Sequence, residues 1–449
     1  MQLEILSIHN YKMIQKKIVI SLLFAVLMTV MGTDVFAQND NPSNLTSSPY
    51  TRYGFGRLGT KGNAATRAMG DLGIALRTNL YTNMHNPASL TAIDTLTMIF
   101  DTAVDAELFS MKENGKRESN WNAGFSYMTF HFPLWNRFAG AIAYSPYSMV
   151  GYEYGNEVKV PIENPVISND TLTYSNLYSG NGGLQHFQLA LAWQPVKTRK
   201  QQLNLGAIVG YICGNVNHSG YAYISSGQAN STLVTRNFMV TGMDVEFGLQ
   251  YSHLINASRS ITVGATFSPS TNLHSTNDVV KFSGTDSVGE SVTSRMTMKT
   301  PVKYGFGVSY QYDRRLTVLA DYSFENWEKV SGFDSNLNKK DDAYHNITKF
   351  GVGMEYKPKM YAANYFKTCL YRAGVSYSSS YVNTNGNNNK ELSVTCGVGL
   401  PTTKRSIFNI SASYTHVAPS DSRLLSEDML HLTLGITFNE IMFFRGRLR

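Results

Sequence analysis

Long apolar runs are almost missing from this chain of 449 residues. The one extended run is Ile18 to Met31, and nothing later approaches the roughly 18 consecutive apolar residues that a spanning helix needs. An α-helical membrane protein is therefore excluded. Cysteine is scarce: Cys213, Cys369 and Cys396 show no C-x-x-C or Cys/His ligand spacing, which excludes a disulfide framework and a structural zinc site. Charge is thin as well, with only 16% Asp, Glu, Lys and Arg, a poor match to disordered or coiled-coil chains. What abounds is Gly (36), Tyr (27) and Phe (23), and the mean hydropathy is slightly negative despite 43% apolar residues, so the apolar residues are dispersed. Length alone would fit several soluble domains, although a single closed β-barrel also absorbs such a length.

The first segment reads as an address. Lys16 and Lys17 precede the apolar run, and Val35-Phe36-Ala37 places small or modest residues where signal peptidase reads. Residues 1–37 are expected to be a signal peptide, with the mature chain starting at Gln38 and no cysteine there for a lipid anchor. Its removal takes away Lys12, Lys16 and Lys17 with Glu4 and Asp34, so a formal charge of +7 loses one and the mature chain stays basic.

From about residue 95 onward large apolar residues alternate with small or polar ones, the period of a strand with two unlike faces. Leu430, Leu432, Leu434, Ile436 and Phe438 alternate with His431, Thr433, Gly435 and Thr437; Tyr304, Phe306 and Val308 alternate with Gly305, Gly307 and Ser309. A sandwich would need close-packing Val, Ile and Leu on its inner face. Here the second face carries Gly, Ser, Thr, Asn and Gln, as in a barrel whose apolar face meets lipid. The connections alternate too. Short turns are expected at Leu134-Trp135, Lys197 to Lys200, Asn256 to Ser258, Asp313-Arg314 and Thr402-Thr403. Long loops are expected at Tyr154 to Asn181, Asn272 to Arg295 and Ser331 to Asp342. The fold class is an all-β, transmembrane antiparallel β-barrel of about 14 strands spanning 95–449.

Residues 38–94 break the pattern. They hold Ser48-Pro49-Tyr50-Thr51-Arg52-Tyr53-Gly54-Phe55-Gly56, then Arg67-Ala68-Met69-Gly70 with Gly73, then Asn86-Pro87-Ala88 just ahead of the first strand. In these motifs and in its layout the chain resembles the FadL-like long-chain fatty acid transporter superfamily of outer-membrane proteins. It looks closest to the Bacteroidota branch that also holds PorV-type barrels of a secretion system. The resemblance implies a hatch or plug over 38–94 ending in the Asn-Pro-Ala segment, and a location in the outer membrane of a Gram-negative bacterium. It also implies sideways release of hydrophobic substrates through a kink in the third strand. That strand, expected over 136–153, contains Pro146 in its interior and Gly151 shortly after, although Pro cannot donate to a ladder.

Other motifs weigh less. Gly54-Phe55-Gly56-Arg57-Leu58-Gly59 fits G-x-G-x-x-G, but it lacks the buried strand before and the helix after that a dinucleotide site requires. Asp341-Asp342 with His345 offers no serine nucleophile elbow, and loops are rich in Asp by default. Cys369 and Cys396 fall on neighbouring strands, too far apart along them to bridge. The short turns and tail gather Lys197, Arg199, Lys200, Arg259, Arg314, Arg315, Lys357, Lys359, Lys404, Arg405, Arg445, Arg447 and Arg449, a basic edge for anionic headgroups or for an acidic periplasmic partner. Nucleic acid is not implied.

The expectation is a monomeric, non-enzymatic barrel without cofactor or metal, set in outer-membrane lipid. It would serve as a passive route for a small hydrophobic ligand, with Asn86, Pro87 and Ala88 in the plug and Pro146 and Gly151 at a lateral opening. The alternative is a scaffold or cargo-docking barrel of a secretion system. An apolar pocket between plug and wall would mark the transporter; a polar lumen with long ordered loops as the working surface would mark the scaffold.

Overall fold

A computed structural model describes residues 48–113, 116–161, 171–224, 231–283, 290–330, 344–359, 362–384, 387–402, 405–419 and 425–441. The expected signal peptide, Asp341, Asp342, Lys404 and the C-terminal arginines lie outside them.

Fourteen antiparallel strands close into one barrel. They are β1 (Thr97–Glu113), β2 (Lys116–Trp135), β3 (Phe138–Pro161), β4 (Thr171–Lys197), β5 (Gln201–Ile224), β6 (Thr232–Asn256), β7 (Arg259–Ser268 and Asn272–Ser283), β8 (Glu290–Lys299 and Val302–Tyr312), β9 (Leu316–Asn326), β10 (Ile347–Tyr356), β11 (Leu370–Thr384), β12 (Asn387–Pro401), β13 (Ile407–Ala418) and β14 (Ser426–Ile441). Each of β7 and β8 is one strand interrupted near its middle. Closure comes from β14 on β1, with Leu430 opposite Leu108 and Phe438 opposite Phe100.

The sequence alternation becomes the two faces of this wall. On β14 Leu430, Leu432 and Phe438 are exposed on the outside, while Thr433, Gly435 and Thr437 are buried on the inside. On β4 Phe187, Leu189, Leu191 and Trp193 form the same outer stripe. An exposed apolar belt around a closed barrel is what hydrocarbon, not water, stabilises. The turns at Lys197 to Lys200, Asn256 to Ser258 and Asp313-Arg314 fall where expected, whereas Leu134 and Trp135 still belong to β2, Trp135 stands opposite Phe138, and that turn lies at Asn136-Arg137; Thr403 is outside the described residues. Asp313 and Arg314 both take positive φ (52° and 51°), the left-handed pair of tight hairpins.

Two of the expected long loops are instead strand. Tyr154–Pro161 pairs with Thr171–Tyr178, and Asn272–Lys281 pairs with Glu290–Lys299. β4 has 27 residues and β6 has 25, against 10 in β10. About 9–11 residues suffice to span a bilayer. The tall strands therefore continue as ordered hairpins beyond it, where both faces are wet and alternation vanishes from the sequence while ladder hydrogen bonds persist. The third expected loop, Ser331 to Asp342, lies outside the described residues.

Cys396 faces Ala373 across the ladder, whereas Cys369 precedes β11 and is buried; both are free thiols.

Candidate functional site: the lumen and the seam beside β3

Residues 48–94 run inside the barrel and touch the wall on every side. Ser48 donates to Glu427 of β14 (2.5 Å). Phe55, fully buried, inserts its ring among Trp327 (5.7 Å between centroids) and Tyr147 (6.4 Å), within an apolar cluster that includes Tyr152, Leu184 and Tyr381. A single-turn helix, α1 (Ala64–Arg67), is capped by Asn63, whose side chain accepts from the Thr66 N–H. The Asp321 carboxylate on β9 accepts the backbone N–H groups of Gly73 (2.7 Å) and Ile74 (2.9 Å).

Asn86, Pro87 and Ala88 form the last anchor. Pro87 opens a short 3-10 helix, Pro87–Ala92, and the buried Asn86 side chain accepts the Ala88 N–H at 3.0 Å. Its amide donates to the carbonyl of Ile74 (2.8 Å) and reaches those of Leu249 on β6 (3.1 Å) and Ala265 on β7 (3.3 Å). Two wall glycines make room for the motif. A Cβ on Gly206 would stand 2.5 Å from the Ala88 nitrogen, and one on Gly248 only 2.1 Å from Asn86 Oδ1. The motif thus does local turn chemistry and docks on β5 to β7 at once. Sequence reasoning missed the glycines; their place on the inward dyad was the available signal.

It missed the charges too. Arg57 meets Glu107 (2.6 Å), Arg67 meets Asp105 (2.5 Å), Lys61 pairs with Glu246, and Lys349 reaches Asp71 (3.2 Å). Asp105 and Glu107 stand on β1, Glu246 on β6 and Lys349 on β10, so the pairs fasten the inner segment to three strands of the wall. Burial pushes the Asp71 carboxyl up, but Lys349, His85 and Arg67 outweigh it and hold it well below the usual carboxylate range. A cavity of about 480 Å³ remains, bordered largely by Ser, Thr and these charged side chains, and it reaches Phe125, Ser126 and Pro146 at the wall. Apolar contact between segment and wall exists as the packed cluster around Phe55, as Met84 and Leu90 against Ala139, Ala190 and Ile208, and as Leu72 and Leu76 beside Leu319.

The wall is irregular beside Pro146. β2 and β3 pair only up to Met128 opposite Tyr144. On its other side β3 has a register shift between Pro146 and Ser148, where it meets Gln185 and Leu184 of β4. Gly151 keeps regular register opposite Asn181, and the neighbouring Gly182 of β4 takes positive φ (110°) while remaining paired with Val150. Above Tyr144 the free edge of β3 is taken by the inner segment. Arg57 and Leu58 form a two-residue strand opposite Met149 and Ser148, the Gly59 N–H donates to Tyr147, and Thr51 Oγ1 bridges the Gly151 carbonyl and N–H. Pro146, with no N–H to offer, lies between the end of the β2–β3 pairing at Tyr144 and the Leu58–Ser148 pairing, beside the register shift toward β4.

Closed barrel, apolar belt and filled lumen define an outer-membrane β-barrel of the fold found in FadL-type channels. The solved structures similar to it include the Ralstonia pickettii toluene transporter TbuX (17% identity, 84% of this chain and 97% of that chain, TM-score 0.52). A Pseudomonas aeruginosa FadL homologue (12%, 86% and 99%, 0.52) and the Pseudomonas putida toluene transporter TodX (13%, 86% and 99%, 0.50) are similar as well. At these identities the likeness is one of fold. The chain belongs to the BamG family, whose model matches residues 13–448. No curated protein matches the chain. The narrower kinship with PorV-type barrels rests on the sequence resemblance alone.

Proposed function

We propose that this barrel works as a non-enzymatic docking scaffold in the outer membrane, with its lumen held shut by the segment 48–94 acting as a plug. The observation that carries this reading is the interior: charged and hydroxyl side chains line the cavity, and ion pairs at Glu107, Asp105, Glu246 and Lys349 fasten the segment to the wall. A hydrophobic solute entering there would displace water from these charges, a cost set against the apolar contact offered by Leu58, Leu72, Ile74 and Phe125. The tall, ordered hairpins of β3 to β8 supply a working surface on one side. On the other, the turn residues Lys197, Arg199, Lys200, Arg259 and Arg314 supply a basic face for an acidic periplasmic partner.

A second reading is favoured by the seam. Passive passage of small hydrophobic molecules, released sideways beside Pro146, fits the early end of β2–β3 pairing and the likeness of fold to toluene transporters. Uptake of toluene or a fluorescent fatty acid by proteoliposomes separates the two. Docking expects uptake equal to that of protein-free vesicles. Uptake that falls when Pro146→Val straightens the strand would overturn docking in favour of transport.

A further inference from the structure

We propose that one corner of the lumen binds a linear diamine, with one ammonium group on Glu391 of β12, the other on Glu427 of β14, and the carbon chain over Val417 of β13. Such a site goes beyond docking and passage and depends on neither.

The charges around the cavity are unequal. Among the described residues every lysine and arginine that borders it is already paired with a carboxylate: Arg57, Lys61, Arg67 and Lys349 as above, and Lys303 with Glu325 (3.3 Å). Three bordering carboxylates are left, on Asp321, Glu391 and Glu427. The N–H groups of Gly73 and Ile74 answer Asp321. Glu427 is buried and accepts from Ser48, whereas Glu391 has neither a hydrogen bond nor an ion pair among the described residues. Arg57, whose charge both glutamates feel, is held by Glu107 (2.6 Å), so this corner keeps two negative charges without a cation of their own. A second feature points the same way. Asn389, on the same inward face of β12 and only 2% exposed, borders the cavity with its side-chain carbonyl oxygen unbonded. An ammonium group carries three N–H donors and no acceptor, which suits a carboxylate with a free amide oxygen beside it.

The ladder decides what kind of cation fits. Glu391 stands opposite Val417 and Val417 opposite Glu427, so the two acids share one cross-strand row with a valine between them. Two strand spacings separate their backbones by about 10 Å. A calcium ion needs six or more oxygens at about 2.3–2.6 Å, and no three acidic or histidine side chains among the described residues gather closely enough to hold a metal. A short carbon chain with a charge at each end matches the row instead. Val417, packed with Phe109 and Met429, gives the methylene groups an apolar floor, and each end meets a carboxylate. The row lies at the end of the barrel opposite the short turns. There β12, β13 and β14, with 15, 12 and 16 residues against 27 in β4, form the low side of the wall, over which a solute reaches the corner.

Isothermal titration calorimetry of the purified barrel in micelles, in mildly alkaline buffer of low ionic strength, tests this with cadaverine, pentylamine and pentanediol as probes. Cadaverine should bind, pentylamine should bind about tenfold or more weakly because one charge is missing, and pentanediol should give no heat. Glu391→Gln removes a carboxylate that holds nothing in the free protein. It should weaken cadaverine about tenfold or more and leave the thermal midpoint of the barrel unchanged; Glu427→Gln, which keeps an acceptor for Ser48, should weaken cadaverine alike. Calcium chloride at matched ionic strength should not displace the diamine. No heat with cadaverine in the unaltered protein would overturn the proposal. So would equal affinity for pentylamine, displacement by calcium, or cadaverine binding that survives Glu391→Gln.

Discussion

Replacing Asp321 by Ala tests whether the wall holds the inner segment by named bonds or by shape alone. Asp321 is 5% exposed, and one carboxylate oxygen accepts two backbone N–H groups, at 2.7 and 2.9 Å. Hydrogen bonds to a charged group contribute about 1.5–3 kcal/mol each, so losing both costs about 3–6 kcal/mol. The adjoining cavity, which Asp321 borders, admits water that compensates in part, so the lower end applies. At about 1.4 kcal/mol per tenfold, 3 kcal/mol raises the detached population of the loop around Gly73 roughly a hundredfold. The barrel should not weaken, because Asp321 keeps its ladder partners Gly307 and Gly351 through the backbone. Amide exchange of Gly73 and Ile74 in proteoliposomes reads the first effect and the denaturation midpoint of the barrel the second. Asp321→Asn, which keeps an acceptor oxygen, should fall between. Unchanged exchange at Gly73 and Ile74 in Asp321→Ala would refute the reasoning and assign the anchorage to packing by Leu72 and Ile74.

Gly248→Val places a branched side chain against Asn86 Oδ1 and should expel the Asn-Pro-Ala turn, seen as protease cleavage within 86–94 in a barrel that still resists heat. Deletion of residues 38–90 should leave a folded barrel with raised ion conductance in planar bilayers, and unchanged conductance would remove the plug. Cysteines at Lys197 and Arg314 should resist labelling in intact cells while those at Glu157 and Lys281 react; the reverse pattern inverts the barrel. Asp71, with its pKa depressed by Lys349, His85 and Arg67, contributes attachment that is complete above the unfolded value of about 3.9 and lost as pH falls through the lower folded one. Conductance should therefore stay low from pH 8 to 5 and rise only in stronger acid. A rise already between pH 8 and 5 would count against the Asp71 pair.

Alternation in the sequence reports what each face of a strand meets, and in a membrane barrel the two faces differ so much that the wall is legible residue by residue. That is why the turns at Lys197 to Lys200 and at Asp313 and Arg314 needed no tertiary information. Asn86-Pro87-Ala88 was legible for a related reason: Pro at a helix start and Asn before it are local chemistry. The hairpins beyond the bilayer were not, because hydrogen bonding between strands leaves no trace in side-chain pattern once both faces are in water. Nor were the bonds that fasten the inner segment. Ser48 and Glu427 are 379 positions apart, Gly73 and Asp321 248 apart, and only closure of the ring brings them together. Pro146 was legible as a position without an N–H, since that is a property of one residue, and a register shift in β3 follows it. That β2 parts from β3 there, and that Arg57 and Leu58 take the vacated edge, was decided by a segment some 90 positions away competing with β2 for the backbone groups of β3.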